Sequence, residues 1–280
     1  MQTNMNNFNL ADVLHSTSFY TNKALGQNFI SDKNLLKAIV QDAGIESGDT
    51  VLEIGTGAGT LTGYIADECK RLYSFEVDKN LEKVLNITLA GYENIEVIFK
   101  DVLRMKDEDI INIIGDGSFK LIGNLPYYIT TPLIIRFIES NFKLDSITIM
   151  VQEEVAKRLV AKAGTEDYSS ITLAVAAWGN ASITRTVSKQ MFFPAPKVDS
   201  AVVRIDRVDG KLKGVERKKL NRLVRASFAM RRKTLANNLS AAYAISKDEA
   251  SKRIIEAGFE PTIRGEKLSL DDYLNLSKFF

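Results

Sequence analysis

The 280-residue chain has one histidine, His15, and one cysteine, Cys69. With a single cysteine a disulfide framework is excluded, which fits a reducing compartment. A zinc site built on Cys and His is excluded too, and no metal is expected. A histidine-dependent triad would require His15 to fold back into a site from a polar N-terminal stretch. Cys69 reads as a small buried residue. Long apolar runs are also missing. The longest, around Ile171 to Trp178, is far too short to span a bilayer. The opening MQTNMNNFNL has no basic region followed by an apolar stretch, so no signal peptide and a cytoplasmic location are expected. No low-complexity segment and no internal repeat is present.

What the chain does have is alternation. TVLEIG (50–55) is apolar, β-branched and ends in glycine, as a strand would. RLYSFEV (71–77), IEVIFKD (95–101), FKLIGN (119–124) and SITIMVQEE (146–154) continue the series. Helical spacing fills the gaps, as at Leu81, Val84 and Leu85, or Leu133, Ile134, Phe137 and Ile138. Such alternation predicts a parallel sheet covered on both faces. ASITRTVS (181–188) and SAVVRIDRV (200–208) alternate apolar and polar residues and suit a hairpin-like pair at one edge. The expectation is an α/β fold with a Rossmann-like, seven-stranded sheet. DKNLLKAIVQDAG (32–44) reads as a helix capped by Ser31 or Asp32 and stopped by Gly44. After Asp209 only helical segments follow. The predicted organisation is therefore a large domain, 1–209, and a small all-helical domain, 210–280.

EIGTGAGT (53–60) places glycines at 55, 57 and 59 between a strand and a helix. This lets a ligand approach the backbone and meet helix N–H groups. The dinucleotide fingerprint G-x-G-x-x-G is not met, because Thr60 stands where its last glycine belongs. A flexible turn would not need three alternate glycines, which are costly in entropy. Glu76 ends the second strand, placed to accept both hydroxyls of a ribose. Asp101 ends the third, where a carboxylate can accept from an adenine amine or simply cap a helix. Gly55, Gly57, Glu76 and Asp101 thus share one sheet edge. An adenosine-containing ligand without a pyrophosphate fits, and S-adenosylmethionine is the first candidate.

GNLPYYITTP (123–132) follows the fourth strand at that same edge. Thr131 and Pro132 supply an N-cap and first position for the next helix. A simple turn would need the proline but not Asn124, Tyr127 and Tyr128 together. Chemistry asks for more. The lone pair of an adenine amine is delocalised into the ring, so the amine attacks poorly. Acceptors on its hydrogens, the Asn124 side-chain oxygen and a carbonyl at Leu125 or Pro126, would build electron density on nitrogen. Tyr127 would stack on the base and hold it in line with the methyl group. Such a base must be out of its stack. No strong base is required, since the methylated ammonium is acidic. Pyrimidine C5 methylation, which needs a nucleophilic cysteine, is disfavoured by the position of Cys69.

Overall charge is nearly balanced, at +2, but its distribution is not. Between Arg207 and Leu235, eleven Lys or Arg stand against Asp209 and Glu216. This concentration fits a polyanion partner or a solvated helix face.

N-L-P-Y with E-x-G-x-G-x-G resembles the adenine-N6 methyltransferases that act on ribosomal RNA. KALGQNFI (23–30), FFPAPKVDSAVVRI (192–205) and SFAMRRKTLANNL (227–239) look specifically like the KsgA-type small-subunit rRNA dimethyltransferases, in the family's order. The resemblance implies a class I methyltransferase sheet. It implies transfer from S-adenosylmethionine of two methyls to each of two adjacent adenosines in the 3′-terminal hairpin of 16S rRNA, late in 30S assembly. The partner would be 16S rRNA of the immature subunit, bound by a monomer. By motif, Asn28 and Ile30 would touch the donor beside Gly55, Gly57, Glu76, Asp101 and Asn124, with Gln27 a weaker candidate. Phe192 would sandwich the base opposite Tyr127; otherwise it is a core aromatic, a place Phe193 could take. Lys211, Arg217, Lys218, Arg222, Arg225, Arg231, Arg232 and Lys233 would grip phosphates. Residues before Lys23 carry no interpretable motif.

The same residues fit other activities less well. An Erm-type 23S rRNA methyltransferase shares the layout, but RRKTLANNL and F-x-P-x-P-K-V-D-S favour the small-subunit target. A DNA adenine methyltransferase fits the flanking motifs less well. A mainly non-catalytic assembly factor would not need Asn124 and the glycine loop, although both roles can coexist. A nicotinamide dehydrogenase is disfavoured by Thr60.

Overall fold

The computed structural model describes residues 9–22, 25–212 and 217–280. Lys213 and Glu216 of the basic stretch, Lys23 and Ala24 of KALGQNFI, and residues 1–8 lie outside them. The described chain separates into two compact units, 1–156 with 182–207, and 157–181 with 208–280.

The first unit carries the body of the sheet. The strands are β1 (Phe29–Ile30), β2 (Thr50–Ile54), β3 (Arg71–Glu76), β4 (Ile95–Phe99), β5 (Phe119–Asn124), β6 (Leu144–Gln152), β7 (Gly179–Val187), β8 (Phe192–Phe193) and β9 (Ser200–Arg207). Seven form one sheet in the order β4-β3-β2-β5-β6-β9-β7. β4, β3, β2, β5 and β6 run parallel, and β9 joins β6 antiparallel. The order reverses at β2, with β3 on one side and β5 on the other, which opens the crevice where such sheets take ligands. β1 and β8 form a separate antiparallel pair, Phe29 opposite Phe193 and Ile30 opposite Phe192. No alternation in either dipeptide announces this pair.

The helices of this unit are α1 (Leu10–Ser16), α2 (Lys33–Asp42), α3 (Thr60–Glu68), α4 (Glu82–Thr88), α5 (Asp107–Ile114) and α6 (Tyr127–Glu139), with α7 (Glu153–Leu159) at its limit. Asp32 caps α2 by accepting from Leu35 N–H at 2.8 Å, and Gly44 follows its end at φ +58°. The core on one side gathers Leu36, Ile39, Val51, Ile65, Leu72 and Ile122. Leu10, Val13 and Leu14 of α1 cluster with Leu81, Val84 and Leu85, so the N-terminal stretch that lacked a motif has a packing role. His15 lies on the exposed side of α1.

One helix start differs from expectation. α6 begins at Tyr127 with Pro126 as its N-cap, so Thr131 is not the cap and Pro132 sits inside the helix. Pro126 at φ −54° and ψ 131° turns the chain without needing an N–H, and its carbonyl accepts from Ile129 N–H at 3.1 Å. The cost of Pro132 is the lost bond to the Tyr128 carbonyl, at a residue that is 64% exposed and can meet water. The tyrosines are therefore first-turn helix residues.

The second unit is helical: α8 (Ser170–Trp178), α9 (Arg217–Ser227), α10 (Leu235–Tyr243), α11 (Lys247–Glu256) and α12 (Leu270–Leu276). Tyr168, Leu173 and Ala177 share a core with Leu220, Leu223, Leu239, Ile254 and Tyr273. Residues 157–181, assigned to the large domain by the 209/210 boundary, thus pack with the helical unit. Tyr168, Leu173 and Ala177 of this stretch are covered by residues of α9 to α12. Among the described residues, no helix is long and apolar enough to cross a membrane.

Candidate active site

The carboxyl ends of β2, β3 and β5, with the β1 segment, enclose a cleft of about 380 Å³. Asn28, Ile30, Gly55, Gly57, Glu76 and Asp101 line it. So do Asn124, Leu125, Pro126, Tyr127 and Phe192. The basic residues from Lys211 to Lys233 belong to the helical unit.

Of the glycines in the loop, Gly55 and Gly57 line the cleft. Gly55, Gly57 and Gly59 all have positive φ, at 83°, 55° and 80°. A Cβ on Gly57 would stand 3.2 Å from the Phe29 ring. Gly123 allows β5 to run against β2: a Cβ there would come within 2.6 Å of the Ile54 carbonyl oxygen, a backbone atom that cannot move aside. Gly123 therefore sets how closely Asn124 approaches the glycine loop.

Glu76 binds that loop directly. Its Oε2 accepts from Gly57 N–H at 2.8 Å, and Oε1 from Val77 and Asp78 N–H at 2.7 and 2.9 Å. Burial pushes its carboxyl above the ordinary range; the three N–H groups oppose this, and Asp78 adds to it. Asp101 lines the cleft and caps the following turn at once. Its Oδ1 accepts from Leu103 N–H at 3.0 Å, and Oδ2 lies 3.2 Å from Arg104 Nε.

Asn124 is half-buried at the end of β5. Its Nδ2 donates to the Asn28 backbone carbonyl at 3.1 Å. With the nitrogen so engaged, Oδ1 is left as the acceptor of this amide. The Pro126 carbonyl already accepts from Ile129 N–H and, at 3.4 Å, from the Thr130 hydroxyl. Tyr127 is tethered by a 2.8 Å hydrogen bond between its hydroxyl and Ser200 Oγ at the start of β9. Burial raises its pKa. Phe192 is 6% exposed and joins the core as well as the cleft. Phe193, suggested as the core aromatic, is instead 61% exposed, because adjacent strand residues face opposite sides. Gln27 Nε2 donates to Asp78 Oδ2 at 2.8 Å, a structural tie between the β1 segment and the turn after β3.

Several contributors escaped sequence reasoning. Thr56, Phe29 and Val77 line the cleft, and Ser200 holds Tyr127. All four stand inside quoted stretches, Thr56 in EIGTGAGT, Phe29 in KALGQNFI, Val77 in RLYSFEV and Ser200 at the end of F-x-P-x-P-K-V-D-S, but nothing local singled out their side chains. Cys69 is buried in the core, and burial pushes its thiol up to about 12, which makes it a poor nucleophile. Among the described residues, no group of three or more His, Cys, Asp or Glu could hold a metal ion.

The ribosomal RNA adenine dimethylase family model matches residues 18–280. The chain belongs to that family. As a dimethylase-family protein it is 40% identical over 269 residues to the ribosomal RNA small subunit methyltransferase A of Alkaliphilus metalliredigens, covering 95% of this chain and 94% of that one. The protein of the same name from Clostridium botulinum strain Okra is 40% identical over 270 residues, covering 96% and 97%. Among solved structures, the family fold is matched by a dimethyladenosine transferase from Plasmodium falciparum. The TM-score is 0.74 at 25% identity, over 89% of this chain and 95% of that one. The 23S rRNA methyltransferase ErmE matches with TM-score 0.69 at 25% identity, over 90% and 99%. Class I rRNA methyltransferases are thus its structural neighbours.

In the helical unit the basic residues are not equivalent. Lys211 Nζ donates to the carbonyls of Ala176 and Gly179, at 3.0 and 2.8 Å, and to Asn180 Oδ1 at 2.8 Å. It serves the C-terminal end of α8, where a cation is favoured. Arg222 lies over the Tyr243 ring at 4.5 Å, and Arg231 donates to the Glu166 carbonyl at 2.9 Å. Lys218, Arg225, Arg232 and Lys233 are exposed, and Arg217 is half-buried.

Proposed function

We propose that this protein transfers methyl groups from S-adenosylmethionine to the exocyclic N6 amines of two adjacent adenosines in the 3′-terminal hairpin of 16S rRNA. Each is dimethylated, late in biogenesis of the 30S subunit, by a monomer in the cytoplasm. The observation that carries this reading is the Asn124 amide, its nitrogen pinned by Asn28 and its oxygen left as the acceptor, in a cleft lined also by Gly55, Gly57, Tyr127 and Phe192.

The cleft suits the donor. Gly55 and Gly57, both at positive φ, line the cleft and let an adenosyl group lie close to the backbone. Glu76 has carboxylate lone pairs to offer ribose hydroxyls, and Asp101 to offer an adenine amine. Asn28 and Ile30 close the side. When bound, the donor supplies an electrophilic methyl on a sulfonium. Every other task belongs to the chain. Asn124 Oδ1 accepts one hydrogen of the target amine. The Leu125 carbonyl accepts the other, since that of Pro126 is engaged by the start of α6. Tyr127, its ring direction held by Ser200, stacks on the flipped base opposite Phe192. Acceptors fixed before reaction act as electrostatic preorganisation. Arg217, Lys218, Arg222, Arg225, Arg231, Arg232 and Lys233 bind rRNA phosphates, whereas Lys211 acts through the packing of α8.

Incubation with labelled S-adenosylmethionine and undermethylated 30S particles is expected to yield N6,N6-dimethyladenosine at two adjacent positions. Absence of that nucleoside would refute the proposal. A single labelled adenosine in 23S rRNA would instead support the Erm-type reading.

A further inference from the structure

Glu53 takes no part in the site described so far. It is the acidic residue of EIGTGAGT, two positions before Gly55, and has no solvent exposure. Its Oε2 accepts from Ser74 Oγ at 2.6 Å. Ser74 Oγ lies 2.6 Å from Thr56 Oγ1, and either atom can donate. Thr56 in turn lines the donor cleft. Glu53 Oε1 is buried and makes no hydrogen bond of good geometry among the described residues, although the Thr62 hydroxyl stands near enough to favour the charged form.

A buried carboxylate with an orphan oxygen is expensive to leave ionised. Burial pushes this carboxyl up to about 8; the Ser74 and Thr62 hydroxyls oppose the rise, and Glu76 adds to it. None of the groups acting on it is a cation. Cys69, which also feels Glu53, keeps its proton near neutral pH. Glu53 is thus largely protonated at pH 7.

A chain of hydroxyls shares one hydrogen-bond direction. With Glu53 ionised, Thr56 donates to Ser74 and Ser74 to Glu53, so Thr56 turns only lone pairs to the cleft. With Glu53 protonated on Oε2, Glu53 donates to Ser74 and Ser74 to Thr56. The Thr56 hydrogen is then free to point into the cleft, where it repels a cation. S-adenosylmethionine carries both an ammonium and a sulfonium.

We propose that Glu53, Ser74 and Thr56 form a proton-linked relay beneath the glycine loop, in which occupation of the cleft by the cationic donor expels the proton of Glu53 to solvent and turns Thr56 into an acceptor. Glu53 is a positioning residue in this scheme, acting through Ser74. The inference rests on the donor reading above. The balance is simple: one O–H bond of Glu53 breaks, and the buffer takes the proton.

Calorimetric titration of the full chain with S-adenosylmethionine at pH 7.5, in two buffers of different ionisation enthalpy, counts protons released per donor bound. A fractional proton is expected from the parent protein. Donor affinity should rise with pH, by up to about tenfold per unit, and level off above about 8. Glu53→Gln should flatten this profile and lose the Glu53 share of the release. Glu76 remains in that variant, so the difference isolates Glu53. Ser74→Ala should also lose that share, because the relay is cut. Thermal melts check that both variants fold, and the parent's own proton count needs no variant. Donor binding by the parent without proton release overturns the inference alone. Release by Ser74→Ala equal to the parent's shows a direct field and overturns the relay. No donor binding at all overturns the donor reading and the inference with it.

Discussion

Asn124 and Asn28 are 96 positions apart, yet the side-chain amide of one donates to the backbone carbonyl of the other at 3.1 Å. The bond engages the nitrogen of that amide and leaves Oδ1 as its acceptor. Asn124→Ala removes the acceptor without filling the cleft. Single-turnover transfer is expected to fall on the order of 10²–10³-fold, as for loss of a preorganised polar group, while donor affinity changes only a few-fold. Comparable transfer rates for parent and variant would contradict the assigned role.

Tyr127 separates stacking from tethering. Tyr127→Phe keeps the ring and loses only the Ser200 bond, a net effect of about 1 kcal/mol. Tyr127→Ala loses the stack, worth about 1–3 kcal/mol. Ser200→Ala should match Tyr127→Phe, and the double variant should cost no more than either. The values of kcat/KM for particle substrate test this ordering.

Gly123→Ala would drive a methyl group into the Ile54 carbonyl. The end of β5 must then part from β2. We expect a loss of about 1–3 kcal/mol, as in other overpacked sites, read as a lower Tm. Transfer should fall more steeply than stability, since Asn124 is the next residue.

Glu53 also ties stability to pH. Its folded-state value is raised, to about 8 from an ordinary 4.5. The folded state therefore holds a proton that the unfolded chain gives up above pH 4.5. The resulting stability is complete below that value and is lost as pH rises towards 8. Glu53→Gln should remove this slope, worth up to a few kcal/mol. Melting temperatures of parent and variant should diverge between pH 5 and 8, with the variant the more stable at the upper end. A parallel pair of curves would contradict the buried protonated carboxyl.

The exposed cations Arg232 and Lys233 are assigned to phosphates. Each change to Ala is expected to lower the salt slope of RNA binding by about 1. Lys211→Met should leave that slope unchanged and reduce Tm instead, because its ammonium bonds are internal. Equal effects of Lys211 and Arg232 on the slope would refute the distinction.

Much of the site was legible because it is local. A strand that ends in alternate glycines, and acids at the ends of the next two strands, follow from periodicity and spacing alone. Glu76 and Asp101 then fall on one edge through the rule that parallel strands point their carboxyl ends together. The start of α6 was misplaced because Thr131–Pro132 is as good a local signal as Leu125–Pro126. Only packing against the neighbouring elements chose between them. Residues 157–181 were assigned to the wrong neighbours for the same reason: an apolar helix face does not say which partner covers it.

Sequence alone settled the chain order of the seven strands of the large sheet, the glycine turn and the residue types at the sheet edge, since φ/ψ preference and hydrophobic period act over a few residues. Tertiary structure settled the pairing of Phe29 with Phe193, the tether of Tyr127 by Ser200, the orientation of Asn124 and the burial of Glu53. Those relationships join residues far apart in the chain. Their energies exist only after loop-closure entropy has been overcome and water has been excluded, and no local pattern encodes that.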